Sequence, residues 1–401
     1  MTLISNSKNS HSVAKLRVIW VSPSYGYGGD LLYFKGLFEA FCQRFPETKI
    51  LVDPKIQYRE AEGIPLVPEL RGWAWKRFRR VGGASYDATV HVPTPGSLSR
   101  LLALKPDVAI TIEFTLVSLA TLALASLTKR FSTLLLVESN PAARGGGTGV
   151  VVQAVKRWAC RRANAIQTSN EAGRRFLTDT LAADPEKIRV APYLTSCPPR
   201  PSTPVNRVSD ERLRILFANS LVTRKGPHTL LDALALLPEQ IAERINLTIV
   251  GDGPERGALE QRAASLSGPS ITFVGAKPYS ALGSYYSLAQ VLAVPSQADY
   301  RALAGFEGLA YGLALLASTA DGASTETLDG GRTGIAIDPA DPAGMAAAIR
   351  RFIEDPAFLA RCQANARCLF EERFSFECIT DNLAASIAAA HDARTALSKK
   401  K

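Results

Sequence analysis

Short apolar segments alternate with helical patterns along most of the chain, and this alternation constrains the fold more than any other feature. Leu16–Val21 reads as a strand, followed by a glycine-containing loop and an amphipathic helix that Asp30 is predicted to cap. Further strands are predicted in the first half at 108–112, 133–137, 165–168 and 188–191. Strands that alternate with helices indicate α/β architecture, a doubly wound parallel sheet with helices on both faces.

The alternation is interrupted once and then restarts. Five prolines lie between Pro192 and Pro204, where the apolar periodicity is lost. A chain of 401 residues also exceeds one ordinary core. Strands are predicted after the break at 214–218, 246–250, 271–274, 291–294 and 313–317. The predicted organisation is a tail (1–15), an N-terminal Rossmann-like domain (16–198), a linker (199–213), a C-terminal Rossmann-like domain (214–373) and a closing helix with a polar tail (374–401).

Positive charge is concentrated in the first half of the chain. Residues 1–205 contain 27 Lys and Arg against 15 Asp and Glu, whereas residues 206–401 contain 20 against 22. The first half is therefore expected to face an anionic partner. Nucleic acid, an anionic membrane and a lipid-phosphate acceptor all satisfy this expectation.

Cysteine, histidine and apolar patterns bear on location and cofactors. The six cysteines form no CxxC pair, and the four histidines have no zinc-like spacing. The N-terminus lacks a signal-peptide apolar region, and the longest uncharged apolar run, Phe114–Thr128, has 15 residues. A membrane span needs roughly 20. We predict a cytoplasmic protein without a metal or cofactor, peripheral at the inner face of a membrane if it meets one.

The first segment that could carry chemistry is Asn219–Pro227, between a predicted strand and a predicted helix. Free amides at a helix N-terminus bind phosphate, and Arg224 and Lys225 add positive charge. The alternative is a solvated basic turn.

A second segment, Ile249–Glu260, contains Gly251, Gly253 and Gly257 after a predicted strand. A dinucleotide fingerprint requires G-x-G-x-x-G, and here the third glycine lies one position late. This spacing disfavours an NAD-linked oxidoreductase. A tight turn with close backbone packing is the structural alternative.

The third segment contains two carboxylates, Asp299 and Glu307, eight positions apart. If the intervening turn opens a helix, that spacing is just over two turns, so both acids can face one cleft. A carboxylate can accept hydrogen bonds from two adjacent sugar hydroxyls. The alternative is a pair of acids that face solvent on an amphipathic helix.

Taken in order, these segments resemble the C-terminal domain of the GT4-like retaining glycosyltransferases (glycosyl transferases group 1), from Arg214 to about Asp341. The resemblance rests on LFANSLVTRKG, TIVGDGPE, ITFVGAKP, VPS, DYRALAGFEGLAYGLALLAS, DGAS and GGRTGIAIDP. It implies a GT-B fold, in which two Rossmann-like domains face a cleft. It also implies metal-independent transfer, with retention, of a sugar from a UDP- or GDP-sugar to an acceptor hydroxyl, in polysaccharide or lipid-linked glycan synthesis.

The resemblance assigns roles residue by residue. Lys225 matches the lysine at the donor diphosphate, Glu307 the glutamate at the ribose, and Asp299 the acid at the transferred sugar. Gly28 and Gly29 match the loop that approaches the diphosphate from the first domain.

The chain departs from the family pattern at several positions. Ser220 stands where the family has an arginine, whose charge Arg224 is expected to replace. Arg301 and Ala302, before Leu303, replace a Phe-Gly pair whose amides meet the phosphate, and Arg301 is expected to add a phosphate contact. Glu138 stands where the family usually has a histidine. With the shorter Asp299, these departures leave open a catalytically weak sugar-nucleotide-binding or complex-organising protein.

A basic and aromatic segment, Arg71–Arg80, has the sequence RGWAWKRFRR. Aromatic residues suit a membrane–water interface, and basic residues suit anionic headgroups. We predict contact with an anionic membrane surface. Stacking on nucleic acid and an ordinary basic surface are the alternatives.

Overall fold

The computed structural model describes residues 14–21, 34–54, 62–81, 84–138, 149–203 and 211–399. Within these ranges it describes the side chains except at 74–89 and 397–399. Asp30, Gly28 and Gly29 lie outside the described residues.

The first half of the chain forms a parallel sheet and a separate antiparallel hairpin. The strands are β1 (Val18–Val21), β2 (Lys49–Leu51), β3 (Leu66–Val67), β4 (Gly72–Val81), β5 (Ala84–Pro93), β6 (Val108–Ile112), β7 (Ser132–Val137), β8 (Ala165–Thr168) and β9 (Ile188–Val190). The parallel sheet has the order β3-β2-β1-β6-β7-β8-β9, and β4 pairs with β5 as the hairpin. Every residue of β1, β6, β7 and β8 is buried, as expected when helices cover both faces.

Five α-helices accompany these strands in the described part of the first half. They are α1 (Lys35–Arg44), α2 (Pro95–Ala103), α3 (Leu116–Thr128), α4 (Val150–Arg162) and α5 (Glu171–Arg175). Thr94 and Thr115 begin α2 and α3, because their hydroxyls accept the amides of Ser97 and Ser118. The helix predicted at 114–128 is α3, but it is only partly buried, since Leu116 is 42% and Leu127 is 82% exposed. Among the described residues, no helix is long and apolar enough to cross a membrane.

The second half forms another parallel sheet. Its strands are β10 (Leu213–Ala218), β11 (Ile245–Val250), β12 (Ser270–Gly275), β13 (Val291–Val294), β14 (Ala314–Ser318) and β15 (Gly334–Ile337). Their order is β12-β11-β10-β13-β14-β15, the Rossmann order. The α-helices are α6 (Pro227–Ala235), α7 (Glu239–Ala242), α8 (Arg256–Ala264), α9 (Tyr279–Leu288), α10 (Leu303–Ala310), α11 (Ser324–Thr327), α12 (Pro342–Glu354), α13 (Pro356–Leu369) and α14 (Phe376–Lys399).

The last helix, α14, packs on the first sheet rather than the second. Ile379, Leu383 and Ile387 are buried in the core that contains β1, β6 and β7. The chain also crosses between the sheets through residues 191–203, of which Thr195 and Ser196 are fully buried.

The predicted α/β fold class, with two Rossmann-like parallel sheets, is confirmed. The strands at 108–112, 165–168 and 291–294 have the predicted bounds, and most others differ by one or two residues. Three expectations were incomplete or wrong. The short strands β2 and β3 were not predicted, Arg71–Arg80 falls largely within strand β4, and the polar tail expected from Asp392 is helical through Lys399.

Candidate functional site

A cavity of about 410 Å³ opens at the carboxyl edge of the second sheet. Residues that directly follow β10, β11 and β12 form one side, and the first turn of α10 forms the other. Its lining is Ala218, Asn219, Ser220, Lys225, Val250, Gly251, Asp252, Ala276, Lys277, Leu282, Arg301, Ala302, Leu303, Ala304 and Glu307. Ligands of open α/β sheets bind at this edge, and a helix N-terminus favours an anionic group.

Lys225 is a half-buried cation of this cavity, with its side chain 12% exposed. It ends the 3₁₀ turn Thr223–Lys225, and its Nζ lies 2.5 Å from Asp299 Oδ2. Arg224 Nη1 contacts the same oxygen at 3.1 Å. Burial raises the pKa of Asp299, but the Lys225 and Arg224 charges outweigh it, so the net shift of that pKa is downward. Asp299 is therefore an ionised anchor for both cations.

The position of Asp299 differs from the role that the resemblance implies. Among the predicted donor-site residues that the structure describes, Asp299, Arg224 and Gly253 do not line the cavity, whereas Lys225 and Glu307 do. The carboxylate of Asp299 lies behind Lys225 and is engaged by two cations. In this structure it orients the cations rather than presenting a free carboxylate to a sugar.

A second acid, Asp321, lies beside Asp299 and was not singled out in the sequence. The two residues form a parallel bridge, and Asp321 Oδ1 accepts the amides of Ala302 at 2.9 Å and Ala323 at 3.1 Å. Burial and the charge of Asp299 raise the pKa of Asp321 to about 7. Because Ala302 immediately precedes α10, Asp321 fixes the entry of this helix into the cavity wall.

Glu307 lies in α10 and is 3% exposed. Ser196 donates to its Oε1 at 2.7 Å, and Tyr286 donates to its Oε2 at 2.5 Å. Burial raises the pKa of Glu307, while these two hydrogen bonds and the charge of Lys225 oppose the rise. A carboxylate has about four acceptor sites, so Glu307 can still accept a hydrogen bond from a ligand hydroxyl.

Arg301 lines the cavity, but its guanidinium is already bound by protein groups. It lies 3.0 Å from Glu326 Oε2 and donates to the Leu194 carbonyl at 2.8 Å, with the Phe306 ring 4.0 Å away. Asn170 from the first half also donates to Glu326. Burial lowers the pKa of Arg301, yet the Glu326 charge outweighs it. Arg301 therefore connects the two halves of the chain at the cavity wall.

The glycine turn after β11 is explained by close backbone packing. Gly251 has a φ of +143°, and a Cβ at this position would lie 1.9 Å from the Asn219 carbonyl oxygen. A Cβ at Gly253 would lie 2.4 Å from the Leu221 carbonyl oxygen. The turn packs against the segment that leads to Lys225, and Gly251 itself reaches the cavity.

Glu138 follows β7 at the carboxyl edge of the first sheet. Its amide donates to Glu113 Oε1 at 2.6 Å, and its charge contributes to raising the pKa of Arg301. Glu138 does not line the cavity described above. Gly28 and Gly29 lie outside the described residues, so their predicted contact stays a prediction.

The structure adds residues that sequence reasoning missed. Ser196 belongs to the proline-rich crossing segment, and Asp321 and Glu326 follow β14. Lys277, after β12, adds a third cation to a lining that already contains Lys225 and Arg301. The sequence did contain a signal for Ser196, because the polar pair Thr195–Ser196 lies inside a proline-rich run.

The pH dependence of stability is expected to carry a component from Asp321. Its pKa is about 7 in the folded protein against an ordinary value of 3.8, so between these pH values the folded state binds the extra proton. The free energy of unfolding then falls as pH rises from about 4 to about 7. Asp299, with a lowered pKa, acts oppositely and stabilises above its unfolded pKa.

Asp321→Asn is expected to flatten that decline, because asparagine does not titrate. Urea unfolding at pH 5, 6, 7 and 8 measures the effect, with Asp338→Asn on an exposed loop as the control. An unchanged difference between pH 5 and pH 8 would contradict the assignment.

The fold and the cavity together define a protein of the GT-B class. Anabaena HepE in complex with UDP has a TM-score of 0.68 at 17% identity, covering 93% of this chain and 100% of that one. Sucrose-phosphate synthase from Thermosynechococcus elongatus has a TM-score of 0.65 at 18% identity, covering 92% and 97%. At these identities the likeness concerns the fold.

Sequence comparison finds similarity in the second half of the chain. Residues 202–368 match the model of the family described as glycosyl transferases group 1, which confirms the resemblance seen in the motifs. D-inositol 3-phosphate glycosyltransferase from a Nocardioides species is 31% identical over 248 residues, 56% of this chain and 52% of that protein. The chain spans about half the length of the curated relatives it matches. The part of the chain that is similar to this family model thus contains the second sheet and the cavity.

Proposed function

We propose that this protein is a glycosyltransferase that binds a nucleotide diphosphate sugar in the cavity and transfers the sugar to an acceptor hydroxyl. The observation that carries the proposal is Lys225. It is a cation with a side chain 12% exposed, oriented by Asp299, in a cavity that also contains a helix N-terminus at the carboxyl edge of a Rossmann-like sheet. This combination suits a diphosphate.

In the proposed reaction, Lys225 stabilises the negative charge that develops on the departing diphosphate. Arg224 and the backbone amides at the start of α10 contribute to the same electrostatic stabilisation of the diphosphate. Glu307 binds the ribose hydroxyls. The acceptor oxygen bonds to the anomeric carbon on the face that the diphosphate leaves, the bond from that carbon to the diphosphate oxygen breaks, and the departing diphosphate takes the hydroxyl proton, with retention of configuration.

A UDP-sugar is the preferred donor in this proposal, with a GDP-sugar as the alternative. HepE, which shares the fold, has been solved with UDP-glucose. The acceptor is proposed to be a polysaccharide or a lipid-linked glycan, because the first half of the chain carries the excess of positive charge.

A catalytically weak sugar-nucleotide-binding protein is the second candidate. It is favoured by Asp299, whose carboxylate is held by two cations and does not line the cavity. The two candidates share donor binding and differ in turnover.

A donor screen is expected to separate these functions. UDP-, GDP- and ADP-glucose are tested by thermal shift, since a ligand that binds the folded state raises apparent stability. Positive donors are then tested for transfer to glycan acceptors and for hydrolysis. We expect a rise with one nucleotide diphosphate sugar, followed by turnover.

Ala276→Trp, which places an indole at the cavity lining, is expected to abolish the shift, whereas Ala264→Trp at the end of α8 is not. Donor binding without transfer or hydrolysis would favour the second candidate. No response to any nucleotide diphosphate would refute both.

A further inference from the structure

The first two turns of α4 present apolar side chains to solvent. The relative exposures are 85% for Val150, 76% for Val151, 47% for Val152 and 38% for Val155, here called the valine patch. Solvent-facing helix surfaces ordinarily carry polar residues, and valine is a weak helix former. Contiguous exposed apolar surface marks an interaction site.

The second half of the same helix is basic. Arg157, Arg161 and Arg162 are exposed, and α4 contains no acidic residue. Arg157 also donates to the Thr180 carbonyl at 3.1 Å. An apolar segment beside a basic one matches the chemistry of a helix that lies at a membrane surface, where valine enters the acyl boundary and arginine meets phosphate.

The valine patch lies toward the cleft side of the first sheet. Helix α4 ends at Arg162, shortly before β8 begins, so its basic end is near the amino edge and its first turns are near the carboxyl edge. Leu116, in the first turn of the contacting helix α3, is 42% exposed. Strand β5 of the hairpin also packs on α3, so the hairpin and α4 flank one helix.

We propose that the valine patch docks on an anionic lipid bilayer, with Arg157, Arg161 and Arg162 on the headgroup phosphates. Charge complementarity selects this occupant, because the patch continues into a helix with only positive charges and belongs to the basic half of the chain. The surface would hold the cleft against the membrane that carries a lipid-linked acceptor. That consequence rests on the proposed function, whereas the bilayer contact does not.

The test is sedimentation with phosphatidylcholine vesicles that contain or lack a quarter of phosphatidylglycerol, without nucleotide, at about 0.15 M salt. We expect binding to the anionic vesicles. Val150→Glu/Val151→Glu is expected to reduce it at least tenfold. Acidic residues in the first turn of a helix favour the helix, so we expect the variant to fold, and its thermal unfolding checks this. The control is Leu236→Glu, an exposed apolar position of the second half.

The basic part is tested with Arg161→Gln/Arg162→Gln. At about 1 kcal/mol for each basic residue, anionic-vesicle affinity is expected to fall roughly 30-fold. The matched pair Arg332→Gln/Arg350→Gln removes two exposed charges of the second half and should change it little. Equal binding to neutral vesicles, or anionic binding that survives either α4 variant, overturns the proposal. Concentration-dependent dimerisation or RNA binding through these residues, without vesicle binding, also overturns it.

Thermal shift with the nucleotide diphosphate sugars is run on the same variants. If the unmodified protein binds a donor but no vesicles, only the proposal that the valine patch docks on a membrane is refuted. Vesicle binding with no donor response refutes only the proposed transferase.

Discussion

Lys225→Ala is expected to weaken binding of the nucleotide diphosphate by roughly 10- to 100-fold, because hydrogen bonds to charged groups contribute about 1.5–3 kcal/mol. The side chain of Lys225 is 12% exposed and held by Asp299, so its ammonium is aimed before the ligand arrives. The loss should be similar for the sugar nucleotide and for the free nucleotide diphosphate, since both carry the diphosphate. Isothermal titration calorimetry measures it.

Lys277→Ala is the matched control for Lys225→Ala. Lys277 also lines the cavity but is exposed, so its removal should cost only a few-fold. Lys225→Arg should retain part of the affinity, and the free nucleoside should bind both variants as it binds the unmodified protein. Thermal unfolding without ligand checks that the variant folds with Asp299 paired to Arg224 alone. Unchanged diphosphate affinity in folded Lys225→Ala would refute the assigned role.

Glu326→Gln is expected to lower the free energy of unfolding by about 3–5 kcal/mol, because it leaves the guanidinium of Arg301 buried without its counter-charge. The side chains of Arg301 and Glu326 are 2% and 3% exposed. Arg301 also donates to the Leu194 carbonyl and Glu326 accepts from Asn170, so the pair joins both halves of the chain. Urea unfolding measures the change.

Two further variants make this prediction specific. Glu354→Gln removes one partner of the exposed Arg350–Glu354 pair, whose atoms lie 2.7 Å apart, and should cost under about 1 kcal/mol. Arg301→Met/Glu326→Met removes both buried charges and should recover much of the stability lost in Glu326→Gln. Equal losses in Glu326→Gln and Glu354→Gln would contradict the buried-pair argument.

Local patterns predicted the fold closely where they were periodic or continuously apolar. Strands β6 and β13 have the predicted bounds because each is a short, largely apolar run, VAITI and VLAV, whereas β8 has them although half of its sequence, AIQT, is polar. Strand β4 was missed because WAWKRFRR was interpreted by its charge and aromatic content. Apolar and polar residues alternate only in part of this segment. That alternation is a strand signal, but it was given less weight than the charge and aromatic content.

The candidate site was predictable in part. Lys225, Gly251 and Glu307 were identified because turns after strands and a helix start reach the same edge of a parallel sheet. Ser196 was missed, since its contact with Glu307 joins residues 111 positions apart. Arg301 was found, but its expected phosphate contact rested on charge alone, and the buried guanidinium is bound to Glu326.

The sequence by itself determined the two parallel sheets, the break between them and the placement of Lys225 and Glu307 at one edge, because these depend on local periodicity and on turn chemistry. Only the tertiary structure decided which charges meet. It placed Asp299 behind Lys225, Asp321 beside Asp299, and Glu326 on Arg301. These partners are set by long-range packing, and the ionisation of a buried carboxylate depends on the neighbours and solvent that packing leaves to it.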